Sequence, residues 1–189
     1  MENLNFSKFL EKEHYNPSFS KYLYLQTINS PLGKLVIIAD DNFLYSSSFL
    51  VNTSDTFLNK LSQYLQANIT VSSNDILDKT KYELELYFSR NLKTFTIPTK
   101  TFGTKFQNNV WQKLQQIPYG QTISYLELAK ATGNEKAFRA VANANGKNPL
   151  PIIIPCHRVI NSNGNLGGFT GGVDKKILLL NTEQYTNII

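Results

Sequence analysis

The chain predicts two packed parts: an α/β N-terminal domain with a small antiparallel sheet and helices, then a mostly helical C-terminal domain built on a helix-turn-helix. Three observations carry this expectation. Residues 22–50 hold three short β-branched or aromatic runs separated by turn signals, and residues 124–146 hold two short helical segments around a glycine-containing turn. Charge is divided unevenly: residues 1–98 carry nine Lys+Arg against ten Asp+Glu, residues 99–189 ten against four. The boundary is placed between residues 98 and 99, where Pro98 and the polar stretch 99–104 read as a linker. A basic C-terminal half favours a polyanion partner, nucleic acid ahead of membrane, because no basic amphipathic helix stands out.

The 189 residues, 41% hydrophobic and 12% aromatic, suffice for a packed core. No apolar run reaches the length of a membrane span, and the N-terminus lacks the layout of a signal peptide. We therefore expect an intracellular protein, cytoplasmic or, in a eukaryote, nuclear.

Residues 1–20 read as a loosely ordered lead-in with Pro17 as a breaker; His14 there has no partners for a metal site and reads as a surface residue. Strands are expected at 22–28, 35–39 and 43–50, with turns at Asn29-Ser30-Pro31-Leu32-Gly33 and Asp40-Asp41-Asn42. Ser54 or Asp55 caps a helix running to about residue 67, with Phe57, Leu58, Leu61 and Leu65 on one face. A second helix follows Asn74-Asp75 over about 76–90, and a short strand is expected at 94–97. These stripes read as core, and nothing in this half carries chemistry.

In the C-terminal half, Phe106, Val110, Leu114 and Ile117 repeat at helical spacing until Pro118-Tyr119-Gly120. Ser124 and Glu127 have the spacing of a capping box, opening a helix that ends near Thr132-Gly133-Asn134. The next helix, about 135–144, is the expected recognition helix. Residues 147–151 are extended and proline-fixed, residues 161–165 read as a tight turn, and Asp174 opens a last helix with Ile177, Leu178 and Leu180. Leu166-Gly167-Gly168-Phe169-Thr170-Gly171-Gly172, with four glycines in seven residues, is either a flexible loop or a wall that approaches a flat ligand closely.

Cys156 is the only cysteine, so the chain makes no internal disulfide and no cysteine-based zinc cage. It is either a buried, inert thiol or a nucleophile. Ile152, Ile153 and Ile154 run into Pro155, and polarity rises abruptly through Cys156, His157 and Arg158, as where a buried strand surfaces. Activating a thiol requires a nearby cation, helix N-terminus or base, and His157 and Arg158 are at hand. Adjacent residues on a strand face opposite ways, so His157 reaches the sulfur only through a bridging water or a turn.

Pro155-Cys156-His157-Arg158-Val159, with the order and spacing of the chain over residues 106–183, resembles the acceptor-site motif of the O6-alkylguanine-DNA alkyltransferases. That resemblance implies a ribonuclease-H-like N-terminal fold, a winged-helix C-terminal domain, and direct, irreversible, single-turnover transfer of an alkyl group from O6-alkylguanine, and from O4-alkylthymine, to Cys156. It implies that His157 deprotonates the thiol through a water, that Glu183 orients the imidazole, and that the Tyr125 hydroxyl donates toward the guanine ring. Arg139 would intrude into the duplex as the base flips out, with Ser124, Tyr125 and Ala140 also at the DNA. Asn148 would brace the site, and Val159, Phe169, Thr170 and Gly171 would line the pocket. The implied partner is double-stranded DNA bound through its minor groove by a monomer, with no cofactor and no metal. Some relatives have tyrosine where this chain has Phe169, which keeps apolar stacking and loses a hydroxyl. Some carry an N-terminal zinc site, against which the lack of a second cysteine argues. Two other readings stay open: a non-catalytic sensor of alkylated DNA, and a helix-turn-helix regulator in which Cys156 senses alkylation. A cysteine hydrolase is disfavoured by the adjacent Cys-His geometry.

Overall fold

The structure is a computed structural model that describes residues 16–184; His14 and most of the expected lead-in lie outside the described residues. The chain divides into two compact units, the first running to Glu85 and including Thr96–Lys100, the second comprising Leu86–Phe95 and the chain from Thr101 onward.

In the first unit β1 (Lys21–Ser30), β2 (Gly33–Ala39) and β3 (Leu44–Phe49) pair antiparallel. Ser30 Oγ accepts from Leu32 N and donates to the Gly33 carbonyl, and Asp40 Oδ1 accepts from the amides of Asn42 and Phe43, so both turns are stabilised by their own polar side chains. Leu35 to Ala39 are all buried, as befits a strand flanked on both sides. Helix α1 (Asp55–Leu65) starts at Ser54, whose hydroxyl accepts from Phe57 N, and buries Leu58 and Leu61.

By its sequence pattern that helix is expected to run to about residue 67, and the small sheet to be antiparallel. In the structure Gln66 takes a left-handed conformation, φ 48°, and turns the chain into a fourth strand, β4 (Ala67–Val71), parallel to β1. The sheet is therefore mixed, in the order β3-β2-β1-β4. Helix α2 (Asp75–Phe88) follows, and the division between the units falls within it. The strand expected at 94–97 does not form. Glu83 accepts from both the amide and the hydroxyl of Thr96, so the Thr96 amide is not available to a ladder, and Pro98 has no N–H to give. Only a bridge between Leu44 and Thr99 remains.

The second unit is mostly helical. Helix α3 (Lys105–Leu114) opens with a capping box between Thr104 and Gln107 and buries Val110, Trp111 and Leu114. A two-residue strand β5 (Ile123–Ser124) leads into α4 (Tyr125–Ala131), whose expected capping box between Ser124 and Glu127 is present. After the turn at Gly133, φ +89°, and one 3-10 turn at Glu135–Ala137, α5 (Phe138–Gly146) forms the second half of the helix-turn-helix. The chain then passes through a 3-10 turn at Cys156–Arg158 into β6 (Val159–Ile160), parallel to β5, and reaches α6 (Val173–Glu183), the last helix among the described residues. Among the described residues no helix is long and apolar enough to cross a membrane.

Gly103 sits where the Trp111 indole is packed, and a Cβ there would stand 2.6 Å from two ring carbons. The indole cannot swing clear cheaply, because it is buried and its Nε1 donates to the Ala144 carbonyl at 2.9 Å. Gly103→Ala is expected to lower stability by about 1–3 kcal/mol, read as a lower denaturant midpoint at unchanged slope. An unchanged midpoint would show that the indole is not held.

Candidate functional site

Residues 152–154 are buried as expected, but they form a turn rather than a strand. Ile152 adopts φ +76°, unfavourable for a β-branched residue, and Ile154 N donates to the Leu150 carbonyl at 2.8 Å. Asn148 fixes this turn from both sides: its Nδ2 donates to the Ile154 carbonyl at 2.7 Å and its Oδ1 accepts from Leu150 N at 3.0 Å. Cys156, His157 and Arg158 then lie on the 3-10 turn, so successive side chains point about 120° apart rather than to opposite faces. The strand-based objection to cooperation between Cys156 and His157 is removed by that geometry.

Cys156 is 5% exposed and lines a cavity of about 820 Å³ together with Tyr125, Arg139, Ala142, Asn145 and Phe169, among others. Thr170 also lines it, and its hydroxyl ties the glycine-rich loop to α5 by donating to the Gly146 carbonyl at 2.7 Å. Gly167, φ +68°, is required here: a Cβ would lie 3.3 Å from Tyr125 and from Asn161. Val159 and Gly171, expected in the pocket, are not among the lining residues. Val159 is fully buried in β6, and Gly171 is buried in the bend where the loop turns toward α6. Ser124 caps α4, and Ala140 is exposed on α5 beside exposed Arg139.

Behind the sulfur lies a fully buried polar cluster. His157 Nε2 is 2.9 Å from Glu183 Oε1. A carboxylate can only accept, so Nε2 carries the proton and Nδ1 presents a lone pair; Nδ1 has no hydrogen-bond partner among the described residues. Glu183 also accepts from Arg158 Nε and Nη2, both at 2.9 Å, from Tyr87 Oη at 2.8 Å and from Gly120 N at 3.1 Å. Burial alone would raise its carboxyl, but the hydrogen bonds and charge of His157 and Arg158 hold it down to about 2. Burial lowers His157, against the upward pull of Glu183, and keeps the imidazole neutral at neutral pH.

Burial pushes the Cys156 thiol up to about 11, opposed by the Asn148 amide and by the positive charge of Lys176. Arg158, the cation expected to serve the sulfur, is committed to Glu183 and to the Ile117 carbonyl. Lys176 serves instead. It is fully buried, and its Nζ donates to the carbonyls of Val159, Leu166 and Gly168, joining the loop to the strand after the acceptor turn. Desolvation lowers its ammonium to about 8. Its signal in the sequence is its register: Lys176, Leu179, Leu180 and Glu183 share the buried face of α6, whereas Leu178, named among the apolar residues of that helix, is exposed.

Asn145 was also missed. Just beyond the expected end of its helix, it lies four places after buried Val141 on the same face and donates from Nδ2 to the Cys156 carbonyl at 3.3 Å. An amide at an apolar position of a helix was the available signal.

Both Glu183 and His157 are depressed in the folded state, so unfolding takes up protons in acid. Stability is expected to fall as pH drops below 6.5, the ordinary value of His157, and further between 4.5 and about 2 as Glu183 protonates. Denaturant titrations across that range would show it; in Glu183→Gln the lower step should vanish.

A model described as 6-O-methylguanine DNA methyltransferase, ribonuclease-like domain, matches residues 23–101, and one described as 6-O-methylguanine DNA methyltransferase, DNA binding domain, matches residues 105–185. The chain is 39% identical over 162 residues to the methylated-DNA–protein-cysteine methyltransferase of Methanosarcina mazei, covering 86% of this chain and 98% of that protein. It is 40% identical over 162 residues to the constitutive enzyme of the same name from Bacillus subtilis, covering 85% and 95%. Among solved structures it is similar to Mycobacterium tuberculosis OGT in complex with DNA, with a TM-score of 0.73 and 36% identity over 86% of this chain and 92% of that one. On these grounds the chain belongs to the methylated-DNA–protein-cysteine methyltransferase family.

Proposed function

We propose that the protein repairs DNA by moving an alkyl group from O6-alkylguanine, and from O4-alkylthymine, onto Cys156. The observation that carries this reading is the placement of the chain's sole thiol at the lining of the cavity, directly before His157, which Glu183 orients.

At neutral pH the thiol is protonated, so a base must act before or during transfer. His157 Nδ1 takes that proton through one water, and Glu183 stabilises the imidazolium that forms. Lys176 offsets the charge developing on sulfur. The sulfur attacks the alkyl carbon in line; the S–C bond forms as the C–O6 bond breaks, and the electron pair leaves on guanine oxygen. Tyr125 keeps its proton, because burial and the neighbouring sulfur raise its hydroxyl, and it is available to donate toward the departing base. The thioether has no leaving group that would restore the thiol, so each molecule reacts once and needs no cofactor.

The target base is stacked in duplex DNA and must be flipped out. Exposed Arg139 on α5 fits insertion into the gap, and the small, exposed Ala140 beside it allows the helix close to a minor groove. An intracellular location suits a free, reduced thiol. We also read the chain as an N-terminal domain to residue 98 and a C-terminal domain from 99; the separate family matches to residues 23–101 and 105–185 support a division into two parts.

Incubation with a duplex carrying one O6-methylguanine, followed by intact mass and peptide mapping, should show one methyl on Cys156, saturating at one per molecule. Tight binding of the lesion without any mass gain would favour a non-catalytic sensor. Cys156→Ala should abolish transfer and spare binding. Arg139→Ala should slow reaction on duplex much more than on free alkylated base; equal slowing on both would reject its role in flipping.

A further inference from the structure

Single exposed aromatics are ordinary on protein surfaces, but three placements set Phe138 apart. Its ring is 45% exposed, yet it lines the cavity that holds Cys156. It shares one face of α5 with Ala142, Asn145 and Gly146, which line the same cavity. Asn145 is bound to the Cys156 carbonyl; seven residues back, at 1.5 Å rise each, Phe138 stands about 10 Å along the helix axis from that anchor. It therefore marks the rim while Asn145 marks the floor. Finally, the Arg139 guanidinium carbon lies 5.6 Å from the Phe138 ring centroid, within cation–π range.

We propose that Phe138 is a positioning residue for duplex substrate, its ring stacking on the base pair beside the extruded nucleotide while its face carries the Arg139 guanidinium into the gap. This rests on the alkyl-transfer reading above. An extruded base leaves two stacked faces open to water. A flat apolar ring covers one of them whatever the sequence, since every base has a π face, and apolar wedges of this kind hold kinked minor grooves open. The guanidinium supplies the donors that the ring lacks, for the base left without its partner. Preorganisation matters here as well. A free arginine side chain loses rotamer freedom on insertion, and packing against the ring removes part of that loss before DNA arrives.

The test compares single-turnover methyl transfer to Cys156 from an O6-methylguanine duplex and from the free O6-methylguanine base, using the full chain. In Phe138→Ala the ratio of duplex rate to free-base rate should fall roughly 10- to 100-fold, and Phe138→Trp should restore most of it. Loss of folded protein lowers both rates together and leaves the ratio alone. An unchanged ratio in Phe138→Ala, or a tryptophan variant no better than alanine, would overturn the proposal. If the wild-type chain gains no methyl from either substrate, the alkyl-transfer reading itself fails, and this inference with it.

Discussion

Glu183 accepts five hydrogen bonds from four residues, Tyr87, Gly120, His157 and Arg158, drawn from three widely separated stretches of the chain. A buried carboxylate without partners costs several kcal/mol, so each donor is held to its place by the charge that it satisfies. The same contacts serve chemistry and folding at once. They fix the tautomer and plane of His157, and they tie Leu86–Phe95 into the second unit through Tyr87. Arg158 neutralises the cluster, which lets His157 remain uncharged in its resting state.

The sulfur sits in a balance of opposed influences. Burial favours the neutral thiol, which protects a nucleophile from adventitious reaction; Lys176, Asn148 and nearby backbone amides favour the thiolate. The Lys176 ammonium donates to the carbonyls of Val159, Leu166 and Gly168, neutral partners that leave its positive charge to act on the sulfur. One side chain thereby shapes the pocket loop and biases the acceptor.

Local signals made most of the helices legible: the Ser124–Glu127 capping box, the Gly133 turn and the apolar stripes lie where short-range patterns put them. What escaped was decided by long-range partners. The sequence Asn68-Ile69-Thr70-Val71 is β-branched enough for a strand, but its pairing with β1 depends on Gln66 taking a left-handed turn, for which a glutamine gives no warning. The failed strand at 94–97 was lost to Glu83, thirteen residues away from Thr96. Cys156 and His157 were evident from their chemistry. Glu183 was legible only through the family resemblance, and Lys176 and Asn145 were hidden because charged and amide side chains on an otherwise apolar helix face look like interruptions until their carbonyl partners are known.

The order in which a ribosome releases the chain adds a temporal side to this arrangement. Domains form progressively from the N-terminus during synthesis, and Glu183 is made after Tyr87, Gly120, His157 and Arg158. Until α6 has emerged, His157 lacks the carboxylate that sets its tautomer, and the sulfur lacks the ammonium of Lys176. A growing chain thus carries its cysteine without the equipment to use it until Glu183, 27 positions further on, has followed, and only then is the reactive state assembled.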